Sequence, residues 1–280
     1  VTPADLDRLK DWFFDYTKGY LTGVCNHDRA IRLKIDHTQR VCRNIVMLGR
    51  AMDLMENDLL IAETMGLFHD IGRFEQYAVY GTFNDLASTN HARLSVQQMA
   101  VHKLLTSFSL PEKRLIAGAV AFHNAAALPL EKNARSLFFM KLLRDADKLD
   151  IWKVVTDYYH DNSGRRNTTI ELGLPDKPFC SDAALGALHQ GKIVLLKEMQ
   201  TLNDFKLLQI SWVFDLNFVP SFQALFDRGY ISMIEAVLPA TPEISAAVKQ
   251  AQAYVKKSKI SKQFAGQPEH GHPHNHRAAQ

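Results

Sequence analysis

Cysteine is scarce. Cys25, Cys42 and Cys180 are the only three in 280 residues, they lie far apart, and none belongs to a C-x-x-C pair. That usage excludes a disulfide framework and a thiolate zinc site, and it fits a reducing cytoplasm. Long apolar runs are missing too. The longest uncharged stretch, Leu115 to Leu130, has 16 residues and carries His123, Asn124 and Pro129. It falls short of the ~20 apolar residues that a membrane span needs, so no membrane partner is expected. Charge of one sign is also lacking. Lys plus Arg number 33 against 30 Asp plus Glu, a net +3, which is too little over this length to attract a nucleic-acid polymer. The opening Val-Thr-Pro-Ala-Asp shows neither an initiator methionine nor a basic-then-apolar leader, as expected of a trimmed start.

Alternating β-branched stretches bounded by turns are absent, while helical spacing recurs nearly everywhere, so the fold class is all-α. Thr2-Pro3 with Asp5 and Thr241-Pro242-Glu243 carry helix-start chemistry, a capping residue followed by a first-turn proline. Further helices are expected at about 31–55, 58–71, 91–107, 111–124, 134–159, 182–201, 204–215, 221–236 and 242–259. Residues His160 to Cys180 read as a loop. It separates an N-terminal helical core, 1–160, from C-terminal helices, 161–262, packed on that core as part of the same domain. From 263 to 280 the composition collapses to a His-rich tail that cannot bury a core. Its His270, His272, His274 and His276 are expected to bind divalent ions only adventitiously.

What the sequence does hold is a set of ionisable residues where helical spacing wants apolar ones. His37 heads the stripe Val41, Ile45, Leu48, Met52. His69-Asp70 closes the apolar run Thr-Met-Gly-Leu-Phe. His91 opens a helix continued by Leu94, Gln98 and Leu105, Ile116, Ala119 and Val120 lead to His123, and Ser136, Met140 and Leu143 lead to Asp147. A lone core histidine is ordinarily a hydrogen-bonded packing residue, but four imidazoles and two carboxylates in one core are costly unless paired. A bound cation satisfies all of them at once, and a metal-free His and Asp network is the alternative. The dipeptides His27-Asp28 and His160-Asp161 lack the apolar context and read as loop residues. His102 shares a face with His91 but lies ~16 Å along the helix, too far for a shared ion.

The ordered set His37-x-x-Arg40-Val41, His69-Asp70-Ile71-Gly72-Arg73, His91, His123, and Asp147 within Arg-Asp-Ala-Asp-Lys-Leu-Asp resembles the HD-domain superfamily of metal-dependent phosphohydrolases over roughly residues 30–155. The resemblance implies an HD-like helical bundle with an added C-terminal layer. It also implies that His37, His69, Asp70 and Asp147 bind one metal, with Asp70 bridging to a second held by His91 and His123. Arg73 stands where many members have Lys, His123-Asn124 replaces a His-His pair, and the Gly-Tyr-Pro signature of the cyclic-dinucleotide enzymes is absent.

The donor set suits two divalent transition-metal ions, Fe, Mn, Co, Ni or Zn, which would turn a bridging water into a hydroxide nucleophile. Asp70, Arg73 and Lys148 are the candidate catalytic residues, and Arg73, Arg144 and Lys148 the candidate phosphate-binding ones. In ordinary structural roles, Arg144 and Lys148 would pair with Asp145 and Asp150, and Arg73 with Glu75 or Asp70. Residues 71–90 read as a 20-residue connection beside the site. Ser211 to Phe218 reads as core that could also wall the pocket. The expected activity is hydrolysis of a small phosphomonoester or phosphodiester, such as a nucleotide. Similarity to inositol oxygenase makes a mixed-valent di-iron oxygenase the alternative, and a regulatory module with a structural metal the third class.

Overall fold

Helix starts follow local chemistry. Thr2, Ser109 and Thr201 each close a capping box with the acid three residues on, Asp5, Glu112 and Asp204. A computed structural model describes residues 1–130, 133–161 and 168–261, and the expected His-rich tail lies outside the described residues. The helices are α1 (Pro3–Lys18), α2 (Cys25–Arg50), α3 (Glu56–Phe68), α4 (Gly72–Tyr80), α5 (His91–Val101), α6 (Leu110–Phe122) and α7 (Ala134–Tyr159). There follow α8 (Thr168–Glu171), α9 (Asp182–His189), α10 (Leu202–Ser211), α11 (Val219–Asp227), α12 (Tyr230–Glu235) and α13 (Pro242–Ser261). No strand occurs among the described residues, so the chain is all-α. None of these helices is long and apolar enough to cross a membrane.

The two longest helices, α2 and α7, pack against each other and against α3, and α5 and α6 close the other side. The helices from α9 to α13 gather around α13 and rest on α7 through α11 and α12. Trp152 on α7 is fully buried and donates Nε1–H to the Gln209 carbonyl at 2.9 Å, tying the two groups of helices together. Buried apolar residues from Leu6 to Val255 form one continuous cluster.

Five expectations are corrected. The presumed connection 71–90 contains α4 and a 3-10 turn, Asp85–Ala87. His27-Asp28 belongs to the first turn of α2, where Asp28 accepts from the Thr22 and Gly23 amides at 2.8 and 3.1 Å. The helix expected over 221–236 breaks at Gly229, whose φ of 68° only glycine adopts without strain. The helix expected over 182–201 ends at His189, and the interval 160–180 contains α8. His102 packs edge-on or tilted against Trp12 and Tyr16 with ring centroids 5.1 and 5.2 Å apart, which is a packing role.

Candidate metal centre

Each of the six expected side chains stands at or near a helix end or on an inward stripe, and all six converge. His37 lies on α2, His69 and His123 follow the last residues of α3 and α6, His91 opens α5, and Asp147 lies on α7. Ligand atoms within 4.8 Å of one another define three groups: His37, His69 and Asp70; His69, His123 and Asp147; and Asp70, His91 and His123. These buried groups could hold a metal ion. Gly72 makes the approach of α5 possible. A Cβ there would sit 2.5 Å from the Ser95 amide nitrogen and 2.8 Å from the His91 carbonyl oxygen.

The ring orientations are set from behind. Nδ1 of His69 and His123 faces the Gly66 and Val120 carbonyls of its own helix at 2.8 and 2.7 Å. Nδ1 of His37 and His91 faces the Asp150 and Asp85 carboxylates at 2.6 and 2.7 Å. Burial would raise both carboxylates, but His37 and Arg40 hold Asp150 below its usual range, and His91, Arg73 and Gln76 hold Asp85 well below it. Carbonyls and ionised carboxylates only accept, so all four Nδ1 atoms carry the hydrogen. In the neutral rings Nε2 is therefore a bare lone pair.

Those lone pairs point at one another. His37 and His69 bring their Nε2 atoms to 3.2 Å, and His91 and His123 to 3.0 Å. Burial pushes His69 down to about 4 and His91 down to about 3, so both are neutral near pH 7. His37 differs. Burial and Lys34 oppose its protonation, yet Asp147 and Asp150 draw it above its usual range. Arg73 Nη2, 3.3 Å from His91 Nε2, is the one N–H from outside the cluster that reaches any of the four Nε2 atoms among the described residues.

Asp70 divides the cluster. Its Oδ2 faces His37 and His69 at 3.5 and 3.7 Å, and its Oδ1 faces His91 and His123 at 3.4 and 3.7 Å. Asp147 Oδ1 completes the first side, 3.1 Å from His37 and 3.7 Å from His69. Burial disfavours both charges, but Lys34 above all holds Asp70 well below the usual carboxylate range, and the hydrogen bond with His37 does the same for Asp147. Donors ~2.1 Å from one ion, at cis or tetrahedral angles, stand ~3.0–3.4 Å apart, so these spacings match a coordination shell. Imidazole and carboxylate without thiolate fit a divalent transition metal.

Around the cluster the cations sort differently from expectation. Arg144 is buried and donates to the carbonyls of Phe122, His123 and Ala125 at 3.3, 3.2 and 2.6 Å. It clamps the turn that carries His123. Its carboxylate partner is Asp215 at 2.6 Å, which Lys148 shares at 2.6 Å, in place of Asp145 or Asp150. Asp145 instead accepts from the Asn217 and Phe218 amides at 3.0 and 3.1 Å. Ser211 to Phe218 thus braces α7, and none of its residues lines the pocket beside the metal cluster.

Arg73 Nη1 meets Gln76, the Phe83 carbonyl and Asp85 at 2.8, 2.5 and 2.9 Å, so Asp85 is its main carboxylate, with Asp70 3.6 Å from Nε. Arg73 still lines a pocket of about 180 Å³, together with Lys34, His37 and Phe83. Lys34 and Asp85 escaped the sequence reading, and Asp150, expected beside Arg144 or Lys148, stands behind His37 instead. Lys34 donates to Asp70 Oδ2 at 2.8 Å and lies over the Phe83 ring, 5.4 Å from its centroid. Its spacing, one helical turn before His37, was the available signal. Asp150 carries none, because His37 and Arg40 come from distant chain positions, and Asp85 stands in a short 3-10 turn that shows no helical period. No protein-family model, curated protein or solved structure matches the chain.

Proposed function

We propose that this protein is a metal-dependent phosphohydrolase of the HD-domain type that cleaves a small phosphomonoester or phosphodiester, such as a nucleotide. The observation that carries this reading is Asp70, whose two oxygens face separate histidine pairs and so suit a carboxylate bridging two ions. His37, His69, Asp147 and Asp70 Oδ2 would hold one ion, and His91, His123 and Asp70 Oδ1 the other. Bound there, divalent ions acidify water and offset charge on phosphoryl oxygens.

The chain's own residues do the rest. Lys34 and Arg73 line the pocket and would supply positive charge to a phosphate dianion held there. Asp85 and Gln76 fix the Arg73 fork and, with Asp85 on His91 Nδ1, hold ring and guanidinium in register. Asp150 and Arg40 do the same for His37, with Arg40 Nε 2.5 Å from Asp150. The farther wall is apolar, with Ile151, Val154, Val155 and Phe205, so it excludes water and suits an organic group with a flat face.

The test uses a chain ending at Ser261, which removes the tail histidines as competing chelators. Metal content is measured beside a panel of phosphomonoesters and phosphodiesters, in air and anaerobically. Cleavage of a phosphate ester, releasing phosphate from a monoester or a monoester from a diester, that needs metal but not dioxygen supports hydrolysis. Turnover that needs dioxygen and releases no phosphate overturns it in favour of an oxygenase.

A further inference from the structure

Behind His37, on the far side of Asp150, α2, α7 and α12 enclose a second recess of about 690 Å³. That lies within the ~300–1,000 Å³ typical of small-molecule sites. Its walls carry four cationic side chains, Arg40, Arg43, Lys153 and Arg228, against two carboxylates. Both carboxylates are already engaged. Asp150 is 1% exposed and takes both Arg40 and His37, and Asp157 is tied to Lys153 at 2.7 Å. Arg43 is exposed, and neither it nor Arg228 joins an ion pair among the described residues.

Arg228 is nonetheless held in place. Its Nη2 donates to Asn44 Oδ1 at 3.0 Å, and Asn44 is buried with its Nδ2 donating to the Ala146 carbonyl of α7 at 3.2 Å. A guanidinium anchored by a buried amide, yet lacking an anion, loses little rotamer freedom when an anion arrives. Met47, Tyr230 and Met233 add an apolar flank to the same recess.

We propose that this recess is a second binding site, distinct from the metal centre, for a small phosphorylated metabolite whose phosphate is clamped by Arg43 and Arg228 and whose organic part rests on Met47, Tyr230 and Met233. Arg40 places the site one ion pair behind His37. A bound dianion there competes with Asp150 for the Arg40 guanidinium, so occupation is felt at the metal-facing imidazole.

The probe is phenylphosphonate, a phosphate-like dianion with an unhydrolysable carbon–phosphorus bond and one apolar ring. It is titrated calorimetrically into the metal-replete full chain and into Arg43→Glu, Arg228→Ala and Lys34→Ala. Loss of one charge-assisted clamp should weaken one binding component roughly ten- to a hundredfold in the two arginine variants, whereas Lys34→Ala, at the metal-centre pocket, should leave that component and change only binding beside the metals. Arg43 makes no described packing or polar contact that folding needs, so Arg43→Glu decides the matter alone if Arg228→Ala, which frees Asn44, fails to fold. Absence of binding to the wild-type chain at millimolar probe, undiminished binding to Arg43→Glu, or a loss confined to Lys34→Ala overturns the proposal.

Discussion

The helices α2 to α7 and the helices α9 to α13 both bury charged side chains, but they satisfy them in opposite ways. In the C-terminal group Asp204 accepts from the Ser181, Gln200 and Thr201 amides at 2.7, 2.8 and 3.2 Å, and Lys206 donates to Asn203 Oδ1 and the Val237 carbonyl at 3.0 and 2.9 Å. Both charged groups there have protein partners whose role is to shape the chain. In the N-terminal group the rear nitrogens of four imidazoles are equally well paired, while their front nitrogens and two carboxylates face one another across ~3 to 4 Å. Burial of a charge is therefore no mark of a site by itself. Convergence of several ligand atoms on one point is.

The largest test of that contrast is the pair Asp70→Ala and Asp204→Ala. Asp70→Ala should abolish turnover and strip metal from both sides of the centre, whereas His123→Ala should chiefly empty one side. Asp204→Ala should instead cost ~2–4 kcal/mol of stability, measured by denaturant unfolding, with metal content per folded chain unchanged. Metal loss on Asp204→Ala, or equal partial losses in Asp70→Ala and His123→Ala, would erase the distinction between the two regions.

Next comes Gly72→Ala. The added methyl collides with α5 backbone at His91 and Ser95, which cannot swing aside as a side chain would. It should destabilise the chain by ~1–3 kcal/mol and lower occupancy on the His91 side. Unchanged melting and metal content would show that α5 does not need this close approach.

Arg73→Ala should reduce kcat/KM on a phosphate substrate roughly ten- to a hundredfold with both metals retained, and Arg73→Lys should not restore it fully, because a point charge cannot reproduce the fork. The contacts of Arg73 with Asp85 and His91 give the competing outcome. If the residue only braces the shell, activity would fall in step with metal content, and steady-state kinetics beside metal analysis separates the two.

A smaller effect concerns the join between the regions. Burial would raise the Asp215 carboxyl, but Lys148 and Arg144 hold it below its usual range. Its contribution to stability is thus complete above the unfolded carboxylate pKa of ~3.9 and is lost as pH falls through the lower folded value. Asp215→Asn should flatten this acid limb of an unfolding profile. A profile of unchanged steepness would remove Asp215 as its source.

The smallest effect is chemical. Burial pushes the Cys42 and Cys180 thiols up to about 12, while Cys25 is exposed. Alkylation near pH 8 should modify Cys25 alone in the native chain. In Asp204→Ala, Cys180 should react before Cys42, reporting loosening confined to the C-terminal helices. Equal reactivity of the two would mean that the regions open together.

The six metal-facing residues were legible because each repeats a helical interval with apolar neighbours, a pattern that local spacing carries in full. Helix starts at Thr2, Ser109 and Thr201 rest on equally local chemistry, although only Thr2 stood out among its neighbours. Breaks were harder to read. The apolar pattern of 221–236 runs through Gly229, and only the backbone there reveals the left-handed turn. The nine-residue α4 offers too few turns to display a period and was hidden between Gly72 and Gly81. Asp150, 113 residues from His37, and Asp215, 71 residues from Arg144, have partners that only tertiary packing brings near. Spacing thus identified which side chains face the centre, and packing decided which ones hold them there.

The most direct measurement is elemental analysis of the chain ending at Ser261, purified anaerobically and loaded with excess divalent transition metal before desalting. Two tightly held ions per wild-type chain, falling to none in Asp70→Ala while the helical circular dichroism is retained, is the expected result. A wild-type chain that holds no ion, or an Asp70→Ala chain that holds as many as wild type, would contradict a centre organised around the two faces of that carboxylate.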